Sequence, residues 1–148
     1  MNVLLINGSP HQKGCTYTAL SEVAGQLEKN GIGSNIVHIG SKPIRGCIAC
    51  GACRETGLCV FDDDPVNECS GLLKAADGLI VGSPVYWHNL SGMLRNLLDR
   101  FYGPVREGSM SGKTLYFVFQ GGAPTREMLD WGEYTMKRFA ALYGMTYG

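Results

Sequence analysis

Four cysteines, Cys47, Cys50, Cys53 and Cys59, fall within thirteen residues, in the run CIACGAC followed by RETGLC. The gaps between thiols are two, two and five residues. Three thiols at short successive gaps with a fourth close behind can wrap one compact, multi-iron object, as the four-cysteine runs of ferredoxin-type sites do. A mononuclear zinc site more often uses two CxxC pairs set further apart, which clamp a tetrahedral ion from opposite sides. The spacing favours an iron-sulfur cradle and leaves zinc as the alternative. Lys42, Arg45 and Arg54 flank the run, where they could offset the negative charge of a thiolate-ligated cluster; a solvated basic loop accounts for them almost as well. The acidic run Asp62, Asp63 and Asp64 is read as helix-start charge, with Asp64 as the cap.

A second feature is the loop Gly8-Ser9-Pro10-His11-Gln12-Lys13-Gly14-Cys15-Thr16. It is neither common nucleotide motif: a Walker A loop places Gly before Lys, whereas here Lys13 precedes Gly14, and GxGxxG is absent. What it offers is the hydroxyls of Ser9 and Thr16 and free amides around Gly14 to Tyr17 at a helix start, a combination that would hold one terminal phosphate of a mononucleotide. A plain turn capped by Thr16 is the alternative. The segment Ser83-Pro84-Val85-Tyr86-Trp87-His88-Asn89-Leu90-Ser91 supplies adjacent aromatics and backbone polar groups suited to a flat ring, against a plain reading of Tyr86 and Trp87 as core or interface residues. Gln120-Gly121-Gly122-Ala123 permits a close backbone approach. His88 is read as a loop histidine and Cys69 as a buried small hydrophobe. At Cys15, replacement of a polar residue is preferred to a reactive thiol. No catalytic acid or base is nominated.

The elements that must bring these groups together are short and alternating. Residues 3–7, 35–39, 79–82 (led in by Asp77 and Gly78) and 114–120 are apolar runs of buried parallel strands, with 145–147 as a fifth. Residues 16–29 place Leu20, Val23, Ala24 and Leu27 at helical spacing and stop at Asn30-Gly31. Asp64-Pro65 opens a helix running to about Ala76, and 92–102 and 125–143 complete the helices. The order predicts one α/β, open doubly wound domain over 1–148, with a cysteine-rich insert at about 41–63 and ligands outside the carboxyl ends of the strands.

Thirteen basic and 13 acidic side chains in 148 residues give a formal net charge of zero, so no nucleic-acid partner is expected. The start MNVLLINGSP lacks a basic n-region and has only a short apolar run. Neither a signal peptide nor membrane association is expected, and a cytoplasmic protein is. In a reducing compartment, six cysteines point to metal binding or catalysis more than to disulfides.

Taken in order, Gly8-Ser9-Pro10 with Thr16, the cysteine motif followed by Asp62-Asp63, Ser83-Pro84-Val85-Tyr86-Trp87, and Asp99-Arg100 near a helix end resemble the flavodoxin-like NAD(P)H-dependent FMN reductases. Within that family they resemble the iron-sulfur flavoproteins, over essentially the whole chain. The resemblance implies a flavodoxin-like doubly wound parallel five-stranded sheet of order 2-1-3-4-5. It implies FMN, with its phosphate at Ser9, Pro10, Lys13, Gly14, Cys15 and Thr16 and its ring against Pro84, Val85, Tyr86, Trp87, Gly121 and Gly122. It implies a [4Fe-4S] cluster on Cys47, Cys50, Cys53 and Cys59, NAD(P)H as electron donor, and a homodimer or homotetramer with an interface near the Asp99-Arg100 helix. Asp99 and Arg100 are expected to pair locally or across that contact, and a small redox protein such as ferredoxin is a candidate partner.

Three departures stand out. His11 takes the place of a common Arg and Cys15 that of a common Asn, with Lys13 able to supply the charge. The cysteine motif also occurs in relatives not known to hold a cluster, which leaves a redox pair open. The fold should continue past Tyr147-Gly148 into a last helix; that helix is missing, and a partner subunit or residues beyond Gly148 are expected to take its place. The chemistry expected is conversion between the two-electron transfer of a flavin and the one-electron transfer of a cluster. An FMN electron carrier or flavin or quinone reductase without a cluster, and a zinc-stabilised binding domain, stay open.

Overall fold

A computed structural model describes residues 1–122 and 125–148. The apolar runs become strands and the 3.6-residue patterns become helices in the order β1 (Asn2–Asn7), α1 (Cys15–Lys29), β2 (Gly33–His38), α2 (Cys53–Thr56), α3 (Val66–Ala75), β3 (Gly78–Pro84), α4 (Gly92–Phe101), β4 (Thr114–Gln120), α5 (Asp130–Tyr143) and β5 (Thr146–Tyr147). The five strands form one parallel sheet of order β2-β1-β3-β4-β5. This is the flavodoxin-like arrangement, with the reversal of strand order between β1 and β3.

The expected boundaries hold to within a few residues, and the exceptions have local causes. Residues 125–143 do not form one helix: a 3-10 turn at Arg126–Leu129 leads into α5. Ile39 leaves the second strand for a 3-10 turn, Ile39–Ser41. β2 is also less buried than its sequence predicts, because it lies at the sheet edge, where its residues are exposed or half-buried. Gly31, at φ 73°, ends α1 with its own amide and that of Ile32 bonded back to Glu28 and Leu27, a left-handed terminus that glycine adopts without strain.

Two apolar cores flank the sheet. The larger joins β1, β3 and β4 to α3, α4 and α5 through Leu4, Leu73, Leu79, Leu94, Leu115 and Met136. The smaller lies under α1, where Leu20 and Ala24 meet Val3, Leu5 and Ile80. Towards β4 that second face carries half-buried Val118 and Tyr116, which is 53% exposed. Lys113 Nζ donates to the Leu73 and Lys74 carbonyls at 3.2 and 2.6 Å, closing the last turn of α3. No helix among the described residues is long and apolar enough to cross a membrane.

Candidate functional site

The carboxyl ends of β1, β3 and β4 open into three loops that are bonded to one another. Gly8 N donates to the Gly82 carbonyl at 2.8 Å, and Val85 N to the Gln120 carbonyl at 2.8 Å. Ser91 Oγ donates to the Gly8 carbonyl at 2.5 Å, and Ser83 Oγ accepts from Ser91 N at 3.1 Å. These hydroxyls are buried, so their bonds are obligatory and fix the loops relative to one another. Glycine permits the closest crossing: a Cβ on Gly8 would lie 2.8 Å from the Gly82 carbonyl oxygen.

In the first loop, Asn7 Oδ1 accepts from Ser9 N and Ser9 Oγ accepts from His11 N, each at 3.1 Å. Ser9 and Thr16 are buried, Gly14 is half-buried, and Pro10, Lys13 and Cys15 are exposed. Thr16 is not the helix cap. It is the second residue of α1, and its Oγ1 accepts from Gln120 Nε2 at 3.1 Å, while Gly14 holds the cap position and contributes no side chain. The amides of Cys15, Thr16 and Tyr17 therefore have no acceptor among the described residues. An uncapped helix start with three free donors and the positive end of the dipole fits a phosphate group. Beneath the loop, Asn7 Nδ2 meets His38 Nδ1 at 3.1 Å, and burial lowers the His38 pKa.

The loop after β3 carries a feature that composition does not reveal. Tyr86 and Asn89 exchange two backbone hydrogen bonds, at 2.9 and 3.0 Å, around Trp87 at φ 49° and His88 at φ 62°. Positive φ at both central positions is the requirement of a type I′ turn, which Asn and Gly meet far more readily than Trp and His. Such backbone costs about 1–3 kcal/mol per residue and concentrates at functional sites. Tyr86 and Trp87 are not core residues, since Trp87 is 96% exposed. Pro84 is buried and Val85 half-buried below them. Across the edge, Gly121 and Gly122 are exposed, and a Cβ on Gly121 would lie 3.0 Å from Val85 Cβ. Ala123 lies outside the described residues.

The cysteine segment leaves the end of β2 beside the first loop, where a Cβ on Gly40 would meet the Ser9 carbonyl oxygen at 2.7 Å. Left-handed residues at Ala49, Gly51 and Gly57 coil the chain through 47–59. Cys47, Cys50, Cys53 and Cys59 all line one cavity of about 190 Å³. Cys47 and Cys50 are exposed, Cys53 and Cys59 half-buried. Cys53 packs directly on Gly103, whose missing Cβ is the space it fills. Among the described residues no three His, Cys, Asp or Glu side chains converge closely enough to hold a metal ion. An all-thiol lining of this kind is chemistry that a thiolate-ligated metal group would accept.

Side chains both near this segment and far from it in sequence hold it. Asn67 Oδ1 accepts from Cys59 N at 2.8 Å, and its Nδ2 donates to the Cys59 and Phe61 carbonyls. Asn96 Nδ2 donates to the Ile44 carbonyl at 2.7 Å, and Ala49 N donates to Cys47 Sγ at 3.4 Å. Pro65, and not Asp64, holds the cap position of α3, one residue later than the sequence predicts; Asp64 still accepts from Val66 N at 3.2 Å, and its other oxygen pairs with buried Arg100. Asp99 does not pair with Arg100; it bonds Arg95 at 3.3 Å. Arg45 pairs with Asp63 and lies over the Phe61 ring, and Arg54 lies over Tyr102, so these cations have partners other than the thiols. Cys69 is fully buried, and desolvation, then Glu68 and Asp64, push its thiol up to about 12. Asn67, Asn96 and Gly103 escaped the reading of the sequence: no local motif marks Asn96 or Gly103, whose partners lie across the fold, and Asn67 reads as an ordinary helix residue.

The family model for NADPH-dependent FMN reductase matches residues 1–146. An iron-sulfur flavoprotein of Methanocaldococcus jannaschii is 38% identical over 100 residues, covering 68% of this chain and 51% of the relative. One of Archaeoglobus fulgidus is 32% identical over 142 residues, covering 89% of this chain and 64% of the relative. The chain thus spans half to two thirds of the length of these relatives. An apo NADH:FMN oxidoreductase superposes with a TM-score of 0.70 at 22% identity, covering 99% of this chain and 71% of the other. An NAD(P)H:quinone oxidoreductase of Methanothermobacter marburgensis does so with a TM-score of 0.71 at 17% identity, covering 97% and 78%.

Proposed function

The chain belongs to the NADPH-dependent FMN reductase family, and from that premise we propose that it binds FMN at the joined β1, β3 and β4 loops and acts as an NAD(P)H-dependent FMN oxidoreductase with a [4Fe-4S] cluster on Cys47, Cys50, Cys53 and Cys59. The observation that carries the flavin is the uncapped start of α1, with three free amides, set beside the exposed Tyr86–Asn89 turn. The four thiols lining one cavity and the names of the curated relatives support the cluster. When bound, the flavin would supply two-electron hydride chemistry and the cluster one-electron transfer.

The chain's own residues bind and orient. Ser9, Gly14, Cys15 and Thr16 offer hydroxyl and amide donors to the phosphate, Pro10 shapes the loop, and Lys13 adds a positive charge. Pro84 and Val85 form the floor of the ring site, Tyr86 and Trp87 its cover, and Gly121 and Gly122 its close-approaching wall. No side chain is required to move a proton in the transfer itself.

Anaerobic purification tests the reading. We expect one FMN released on denaturation, iron and acid-labile sulfide in the same preparation, and bleaching of the flavin by NADH or NADPH. Cys50→Ser should keep FMN and its bleaching but lose transfer to a one-electron acceptor. A colourless, zinc-containing protein would overturn both cofactors, and a yellow, iron-free one would leave the flavin alone.

A further inference from the structure

Arg100, in the last turn of α4, is the side chain around which the cysteine segment closes. It is 2% exposed, and all three of its guanidinium nitrogens are engaged. Nη1 pairs with Asp64 and reaches the Arg45 carbonyl at 3.5 Å, Nη2 donates to the Phe61 carbonyl at 3.1 Å, and Nε donates to Cys59 Sγ at 3.2 Å. The guanidinium also lies 5.2 Å from the Phe61 ring centroid. A buried cation persists only when its charge and donors are met. Asp64 meets the charge, and its own second oxygen is held by Val66 N. The fork is left with one orientation, and three of its acceptors, Arg45 O, Phe61 O and Cys59 Sγ, bracket the cysteine run. Cys47 receives a neutral amide, whereas Cys59 receives a charged donor.

We propose that Arg100 is the positioning residue of the cysteine cradle, fixing Cys59 as a ligand and, through its N–H···S bond, raising the one-electron reduction potential of the cluster held there. This rests on the cluster reading of the preceding section. Reduction adds one electron to the cluster, supplied by an electrode or chemical reductant in the test below, with no bond broken and no proton needed. The added negative charge spreads onto the thiolate sulfurs, so a charge-assisted donor already aimed at one of them binds the reduced state more strongly. Because the donor is fixed before the electron arrives, the preference for the reduced state is not offset by reorganisation.

The test compares reconstituted wild type with Arg100→Lys and Arg100→Gln. Lysine keeps the counter-charge to Asp64 but replaces the planar fork by a single point donor. Iron, sulfide and FMN are counted in each protein, and the cluster potential is titrated by electron paramagnetic resonance. The expected result is retained FMN and a cluster that is harder to reduce, by about tenfold in the equilibrium constant, or ~59 mV for one electron. The flavin potential should not move. Equal cluster potentials at equal iron content would overturn the proposal, and if the glutamine variant fails to fold the lysine variant decides. If the wild type takes up no iron, the cluster reading fails and the potential claim with it. The positioning claim is then decided by hydrogen exchange in the iron-free protein, where Arg100→Lys must speed exchange over residues 45–61 and leave β1 and α1 unchanged; unaltered exchange over 45–61 would overturn it.

Discussion

Gly103→Ala should unseat one thiol while leaving the sheet intact. A Cβ at this position would lie 2.5 Å from Cys53 Cβ, with the Cys53 sulfur nearer still. Carbon atoms pack favourably at about 3.5–4.0 Å, so Cys53 must retreat by about 1 Å or more. Rotating the thiol alone does not relieve the clash, since the Cβ is also in the way. The one-turn helix α2, which begins at Cys53, has to swing outward. Overpacking costs about 1–3 kcal/mol in well-packed cores. Cys53 is only half-buried and α2 has room to move, so the expected loss is near 1 kcal/mol, or about 3 °C in Tm for a chain of this size. With the proposed cluster, iron uptake should fall much further than stability, because a ligand displaced by an ångström would be lost to it. Urea melts and iron content per chain measure the two effects. Gly71→Ala is the control: it lies in the exposed interior of α3 with nothing within 4 Å of the added carbon, and should stabilise by about 0.5–1 kcal/mol. A Gly103→Ala protein that melts with the wild type and takes up the same iron would refute the reasoning.

Three further outcomes are expected. His88→Gly should raise stability by about 1 kcal/mol in chemical denaturation, because glycine accepts positive φ freely; a net loss would show the turn to be unstrained. Asp64→Ala leaves the buried Arg100 charge unpaired and should cost about 3–5 kcal/mol, read from the same melts. In α5, the Glu133 carboxyl is held below its ordinary value of 4.5, first by the hydrogen bond from Lys137 and also by Arg126. A depressed carboxylate stabilises above its unfolded pKa and loses that contribution as pH falls through the folded value, so Glu133→Gln should lower Tm modestly in the neutral region, leave the acid end nearly unchanged, and thereby flatten the limb below about 4.5.

The strands and most helices could be read from the chain because their signals are local. A run such as 114–120 is a strand by its own composition, and Asn30-Gly31 ends a helix by its own backbone chemistry. The cysteine set was legible for the same reason, since spacing alone brings its members near one another. What could not be read is whatever depends on pairing across the fold. Arg100 meets partners 36 and 41 residues earlier in the chain, and nothing beside it distinguishes it from Asp99 as the buried member of the pair. Thr16 carried a cap-like signal, but Gln120 engages its hydroxyl from another loop. Trp87 and His88 were legible as residue types and not as backbone: local propensity speaks against positive φ there, and the hydrogen bonds between Tyr86 and Asn89 override it.

Helix α4 also acts as a ruler. Its capping residue Ser91 is bonded to the first loop, and nine residues on Arg100 grips the cysteine segment. At 1.5 Å per residue the two attachments stand about 13.5 Å apart along the axis. One residue added or lost between them would turn the guanidinium by about 100° and carry it away from Asp64 and Cys59 together. Substitutions along the helix can accumulate while both attachments survive, but its length can change only by whole turns, and each turn moves one site by about 5.4 Å relative to the other. The separation of the two attachments is therefore quantised, and drift in their sequences cannot tune it.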